Sequence, residues 1–182
     1  QSVDRTAAAF QALRSNSICP MPMMMQHDSQ PLNTPGKPYG LLNQVRLLRK
    51  AGAVTLQVLM MTPSTGSKLY VESFTSGLAY ESVAGRRVEA HMLDGNYVVA
   101  SQHPQPWRKQ FNILCAYLYF YNPLRWLIAL VRPKTLNHWV DGLWQMVGMY
   151  GTLFNIRRTA GWLVRLMRGG IVRRTAPPSS RI

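Results

Sequence analysis

The sequence predicts an α/β fold followed by a mainly helical C-terminal extension. The first observation is the run Leu56-Gln57-Val58-Leu59-Met60-Met61-Thr62-Pro63-Ser64-Thr65-Gly66-Ser67-Lys68-Leu69-Tyr70. Its apolar first part, broken only by Gln57, reads as a strand covered on both faces. Pro63 and Gly66 end that strand, and Ser64 or Thr65 is placed to cap the helix that follows. The second observation is the alternation of helical and strand-like stretches through residues 1–76, which implies parallel strands joined by right-handed crossovers. The third is the change after Pro104 and Pro106, beyond which the pattern is helical to about Arg168.

In order, Val3 to Arg14 is a helix with Ala8, Phe10, Ala12 and Leu13 on its apolar side, and Ile18 to Met25 is a strand whose start Pro20 and Pro22 disturb. A loop rich in Pro, Asn, Gly and Ser runs from about Gln26 to Pro38, longer than a median connection. Tyr39 to Ala51 is a helix, with Leu41, Leu42, Val45 and Leu48 at helical spacing and Gly52 as its stop. A strand over 54–61 and a helix over 66–76 follow, the helix closed by Gly77. Residues 77–104 are a small β-like cap punctuated by Gly85 and Gly95, residues 105–170 a basic, aromatic-rich helical extension, and residues 171–182 a disordered tail. Two parallel strands leave unpaired edges, so residues 1–182 expressed alone are expected to aggregate or fold poorly.

Charge is distributed unevenly. Residues 1–104 hold nine Lys or Arg against six Asp or Glu, whereas residues 105–182 hold twelve against Asp141 alone. All five tryptophans, Trp107, Trp126, Trp139, Trp144 and Trp162, lie in that second part. Cations interleaved with Trp, Tyr and Leu on helices suit a membrane interface. The spacing of Trp162, Leu163, Leu166 and Met167 beside Arg157, Arg158, Arg165 and Arg168 predicts an amphipathic interfacial helix. No nucleic-acid module or stacking platform accompanies the arginines, so nucleic acid is not the expected partner. Phe111 to Tyr121 and Trp126 to Val131 are apolar, but Asn122, Pro123 and Arg125 separate them. A span needs about twenty apolar residues, and a central arginine costs roughly 3 kcal/mol, so a bilayer crossing is rejected. Residues 1–16 do not read as a signal peptide. Two cysteines, Cys19 and Cys115, fit reduced thiols and a cytoplasmic setting.

The corner Thr62-Pro63-Ser64-Thr65-Gly66-Ser67-Lys68-Leu69-Tyr70, then Leu93-Asp94-Gly95-Asn96-Tyr97-Val98-Val99, then Tyr121-Asn122-Pro123, resembles the end of a cobalamin-dependent radical S-adenosylmethionine enzyme. The upstream Pro20-Met21-Pro22-Met23-Met24-Met25-Gln26-His27-Asp28 is also similar, and the branch most resembled is that of hopanoid C-3 methylases. The resemblance covers most of residues 5–168. It implies that residues 1–76 are the last strands and helices of a partial (β/α) TIM-like barrel. It also implies a [4Fe-4S] cluster, S-adenosylmethionine and cobalamin in the intact enzyme, and methyl transfer to an apolar or lipid substrate. The family's Cys-x-x-x-Cys-x-x-Cys triplet is absent, and two separated cysteines cannot hold a cluster. The chain, which opens on Gln1, therefore reads as a C-terminal piece that is not catalytic alone, its partner being the N-terminal part of the same enzyme.

On that resemblance, Gln57, Thr62, Pro63, Thr65 and Gly66 are expected to line the S-adenosylmethionine or substrate side. Met24, Met25, His27 and Asp28 are expected at the neighbouring strand mouth. Read from the residues alone, His27-Asp28 is either a carboxylate-oriented imidazole or a polar strand end that caps the next turn. The methionines are either an adaptable cavity wall or core. His91 and His103 read as surface groups and His138 as packing beside Trp139. The alternative to the enzyme is a noncatalytic basic module that binds a membrane surface or another protein.

Overall fold

A computed structural model describes residues 3–131 and 139–177. The fold is mixed helix and strand: α1 (Val3–Ser15), β1 (Met23–Gln26), α2 (Leu41–Lys50), β2 (Gln57–Met60), α3 (Tyr70–Thr75), β3 (Tyr80–Val83) and β4 (Arg86–Arg87) come first. A short 3-10 helix (Ala90–Asp94), α4 (Pro106–Phe120), α5 (Pro123–Val131), α6 (Trp139–Arg168) and β5 (Ile171–Arg173) complete it. β1 and β2 form a two-stranded sheet, and β4, β3 and β5 a three-stranded one in that order. The chain divides into two compact units, the first comprising Gln1–Met24, Gln30–Val58 and Leu114–Ile156, the second Met25–Ser29, Leu59–Ile113 and Arg157–Ile182.

In the first unit, α2 buries Leu41 and Val45, as their spacing requires, and stops at Gly52, whose φ of 98° no other residue adopts easily. The Gln57 N–H donates to the Pro22 carbonyl at 3.0 Å, joining the start of β2 to the residue before β1. On the other edge, side chains replace a strand. The Tyr121 hydroxyl accepts from the Leu56 N–H at 2.7 Å and donates to the Leu56 carbonyl at 3.0 Å. Tyr117 does the same to Val58, at 3.0 Å both ways. The expectation of a bare edge on this strand is therefore corrected, because the tyrosines satisfy its backbone groups. The first part of α6 is fixed by Arg14–Asp141, by Trp126 Nε1 donating to the Gly142 carbonyl at 3.1 Å, and by Gln145 donating to the Val54 carbonyl.

In the second unit, β3 and β4 pair antiparallel through Ser82–Arg87 and Val83–Arg86. Ala84 and Gly85, both at positive φ (46° and 77°), make the two-residue turn whose twist matches a hairpin. β5 lies on the other side of β3, with Val83 opposite Ile171 and Tyr80 opposite Arg173. Residues 171–173, expected in a disordered tail, are thus a sheet strand; residues 178–182 lie outside the described residues, as does His138. The core holds Met92, Val98, Val99 and Trp162, the last only 1% exposed. Gln110 Oε1 accepts from the Val98 N–H at 2.9 Å, and Trp162 Nε1 donates to the Val98 carbonyl at 3.0 Å.

Other expectations shift in detail. The strands are shorter than 18–25 and 54–61, and β2 alternates half-buried Gln57 and Leu59 with buried Val58 and Met60 rather than being covered on both faces. α3 begins at Tyr70, not at residue 66, and Ser64 and Thr65 do not cap it. Ser67 instead uses its hydroxyl locally, accepting from the Leu69 N–H at 3.2 Å. The interfacial-helix reading of residues 157–168 is overturned at Trp162 and Leu166, which are core. Arg165 there donates to the Ala84 carbonyl at 2.9 Å. Among the described residues no helix is long and apolar enough to cross a membrane.

Candidate functional site

The corner after β2 is held by the segment that carries Asp94-Gly95. Met60, the last residue of β2, donates its N–H to the Gly95 carbonyl at 2.8 Å. Asp94 closes the turn by accepting from the Asn96 N–H at 2.9 Å. Gly95 has φ 82°, and a side chain there would press on Leu59 at 3.1 Å, so the turn needs glycine twice over. The Gln110 side-chain amide donates to the Asn96 carbonyl at 2.8 Å. Two of the four stretches that carry the resemblance, Thr62–Tyr70 and Leu93–Val99, are thereby brought close within the second unit, through the bond from Met60, two residues before Thr62, to Gly95.

Next to this corner the second unit has a cavity of about 330 Å³, lined by Pro63 and Thr65 from the turn. Tyr70 and Phe74 of α3 and Tyr80 of β3 give it aromatic walls, and Glu81 and Arg174 supply opposite charges. Tyr70 and Phe74 pack edge to face at 5.2 Å. Tyr80 donates its hydroxyl to the Ser101 carbonyl at 3.2 Å, and burial pushes that hydroxyl up to about 12. The Arg173 guanidinium stands 5.4 Å from the Tyr80 ring centre and donates to the Gly77 and Ser101 carbonyls. Arg174 and Glu81 lie 3.9 Å apart. An aromatic wall with two acids, Glu81 and Glu89, and two bases, Arg87 and Arg174, in the same lining suits a ligand with a flat ring and a zwitterionic or charged end.

The other expected site residues are placed differently. Thr62 is half-buried and Gly66 exposed at φ 87°, and neither lines the cavity. Gln57 belongs to the first unit. Met24 is buried and Met25 half exposed, because successive strand residues take opposite faces; they do not share a wall. His27 is exposed, and its carbonyl accepts from buried Lys109 at 3.3 Å. Burial lowers the Lys109 ammonium pKa, partly opposed by Asp28. Asp28 accepts from the Ser101 hydroxyl at 2.6 Å and the Gln102 N–H at 2.7 Å. Its carboxylate thus caps a turn, the second of the two readings open to it. Both side-chain polar atoms of Gln26, at the end of β1, are buried without a hydrogen-bond partner.

Sequence reasoning missed Tyr80, Glu81 and Arg174. Tyr80-Glu81-Ser82-Val83 reads apolar, polar, polar, apolar, in keeping with a pairing to β5 that is irregular between Tyr80 and Ser82, so strict strand alternation gives no signal, and β5 itself lies nearly ninety residues away. No group of three His, Cys, Asp or Glu able to hold a metal occurs among the described residues. Cys19 and Cys115 are free thiols raised by burial, and they do not supply a cluster site. The chain matches no family model, no curated protein and no solved structure.

Proposed function

We propose that the chain is the C-terminal part of a radical S-adenosylmethionine enzyme of the cobalamin-dependent kind, methylating an apolar or lipid substrate. The observation that carries the reading is the cavity beside the Thr62–Gly66 turn, with Pro63 and Thr65 in its wall. Its aromatic and paired-charge lining fits the adenine and the amino-acid end of S-adenosylmethionine, or a substrate held next to it. The short two-stranded sheet and the unpartnered buried amide of Gln26 also fit the last strands of a partial barrel, whose remaining strands would come from the rest of the enzyme.

The residues of this chain fit a binding wall and do not fit the iron–sulfur cluster, so the radical-generating step is assigned to the part that carries the cysteines. Cobalamin, where retained, belongs to that part as well. The enzyme is placed in the cytoplasm, peripheral on the membrane.

The test is Thr65→Trp in the enzyme extended to include the cysteine triplet. Thr65 is exposed, so the indole fills the cavity without displacing core. The expected result is a KM for S-adenosylmethionine or for substrate raised at least tenfold with the cluster absorbance unchanged. An unchanged KM for both would contradict the reading.

A further inference from the structure

The first unit carries an apolar surface that its own packing leaves uncovered. On α6, Trp139, Leu143, Val147, Tyr150 and Phe154 recur at helical spacing and are each more than half exposed, Trp139 at 86%. On α5, Leu124, Leu127, Ile128 and Val131 are exposed in the same way. The opposite side of α6 is committed to its own unit through buried Asp141 and Thr152, the Gly142 carbonyl, Gln145 and the close approach of Gly148 to Tyr121. The exposed face therefore has a fixed direction, and from Trp139 to Phe154 it is about 24 Å long at 1.5 Å per residue. A monomer rarely leaves so continuous an apolar face in water.

Charge selects the occupant. The stretches of the first unit hold nine Lys or Arg against Asp4 and Asp141. Asp141 is buried against Arg14, so Asp4 is the one exposed acid of the unit among the described residues. A second copy would bring two such cationic units together, whereas an anionic surface neutralises one. Trp139, Trp144 and Tyr150 are the side chains that rest at headgroup depth, with a polar edge toward water. We propose that the exposed faces of α5 and of α6 from Trp139 to Phe154 lie in the plane of an anionic lipid bilayer, inserting no deeper than the headgroup boundary. The proposal extends the peripheral placement given above and does not depend on radical chemistry.

The experiment is co-flotation of the 182-residue chain, cleared of aggregate by a vesicle-free spin, with phosphatidylcholine vesicles, with and without 30% phosphatidylglycerol, at low and high salt. Expected are retention on the anionic vesicles, weakened by salt, and a blue shift of tryptophan emission. Trp139→Ser with Leu143→Ser should lower partitioning at least tenfold while far-ultraviolet circular dichroism stays unchanged, since both side chains are exposed. Equal retention on neutral vesicles, or no loss in the double variant, would overturn the proposal. So would a dimer in sedimentation equilibrium that the double variant abolishes while vesicle binding persists. Absence of vesicle binding in a chain whose upstream sequence carries the cysteine triplet would overturn the docking face alone and leave the radical reading standing.

Discussion

The hydroxyl of Tyr121 bonds to both backbone groups of Leu56, taking its N–H and giving its own proton to the carbonyl. Tyr117, one helical turn earlier, repeats this at Val58. The match is metric: four residues of helix rise about 6.0 Å and two residues of strand about 6.6 Å. A helix thus replaces a strand at the edge of β2, and the edge is closed to a partner strand. Replacing either tyrosine by Phe leaves a buried N–H and carbonyl unpaired and should cost about 1–3 kcal/mol in denaturant unfolding. The double variant should also aggregate on refolding; undiminished stability would show that the edge is satisfied in another way.

Tyr121 also fixes a glycine. A Cβ at Gly148 would enter the Tyr121 ring, so α6 reaches its packing distance only because that side chain is missing. Gly148→Ala should destabilise by about 1–3 kcal/mol through overpacking. Gly161, on the same helix, has nothing within 4 Å of such a Cβ. Gly161→Ala should therefore stabilise, by up to about 1 kcal/mol from helix propensity. Thermal melts of the two variants should move in opposite directions.

Arg14 and Asp141 form a bidentate pair at 2.8 and 2.5 Å, with side chains only 15% and 4% exposed. The hydrogen bond to Asp141 raises the Arg14 pKa despite burial. Asp141→Asn leaves a largely buried cation without its counter-charge and should cost about 3–5 kcal/mol. Arg14→Met with Asp141→Leu should recover most of that loss, which chemical denaturation of the three variants measures.

Alkaline pH acts through two buried phenols. Burial pushes Tyr80 and Tyr121 each up to about 12 from an ordinary 10.0. Well below pH 10 both the folded and the unfolded chain keep these protons, and the two phenols leave stability unaffected. Between pH 10 and 12 the unfolded chain has released protons that the folded chain retains, so stability falls as pH rises. Absorbance at 295 nm should show two late-ionising tyrosines, and unfolding midpoints at pH 9, 10 and 11 should drop more over the last interval than over the first, where the buried thiols Cys19 and Cys115 also contribute.

Local patterns were legible where the chain's own periodicity decides the structure. Leu41 and Val45 identified the buried side of α2, and Gly52 and Gly77 its end and that of α3, because positive φ is a property of the residue itself. What was not legible depends on distant partners. β5 is a strand only because β3 offers it an edge. Trp162 and Trp139 both lie on α6, yet one is 1% and the other 86% exposed, and the burial of Trp162 rests on a partner, the Val98 carbonyl, more than sixty residues away. Asp28 beside His27 suggested a catalytic pair, while Ser101 and Gln102, more than seventy residues away, take its oxygens. Of the corner residues expected at a site, Pro63 and Thr65 line the cavity; its Tyr80, Glu81 and Arg174 side chains come from elements that no local spacing connects.

The most direct test of the enzyme reading is the sequence of the DNA upstream of the codon for Gln1. The expected result is an in-frame extension encoding Cys-x-x-x-Cys-x-x-Cys. A stop codon followed by a start immediately before Gln1 would contradict it.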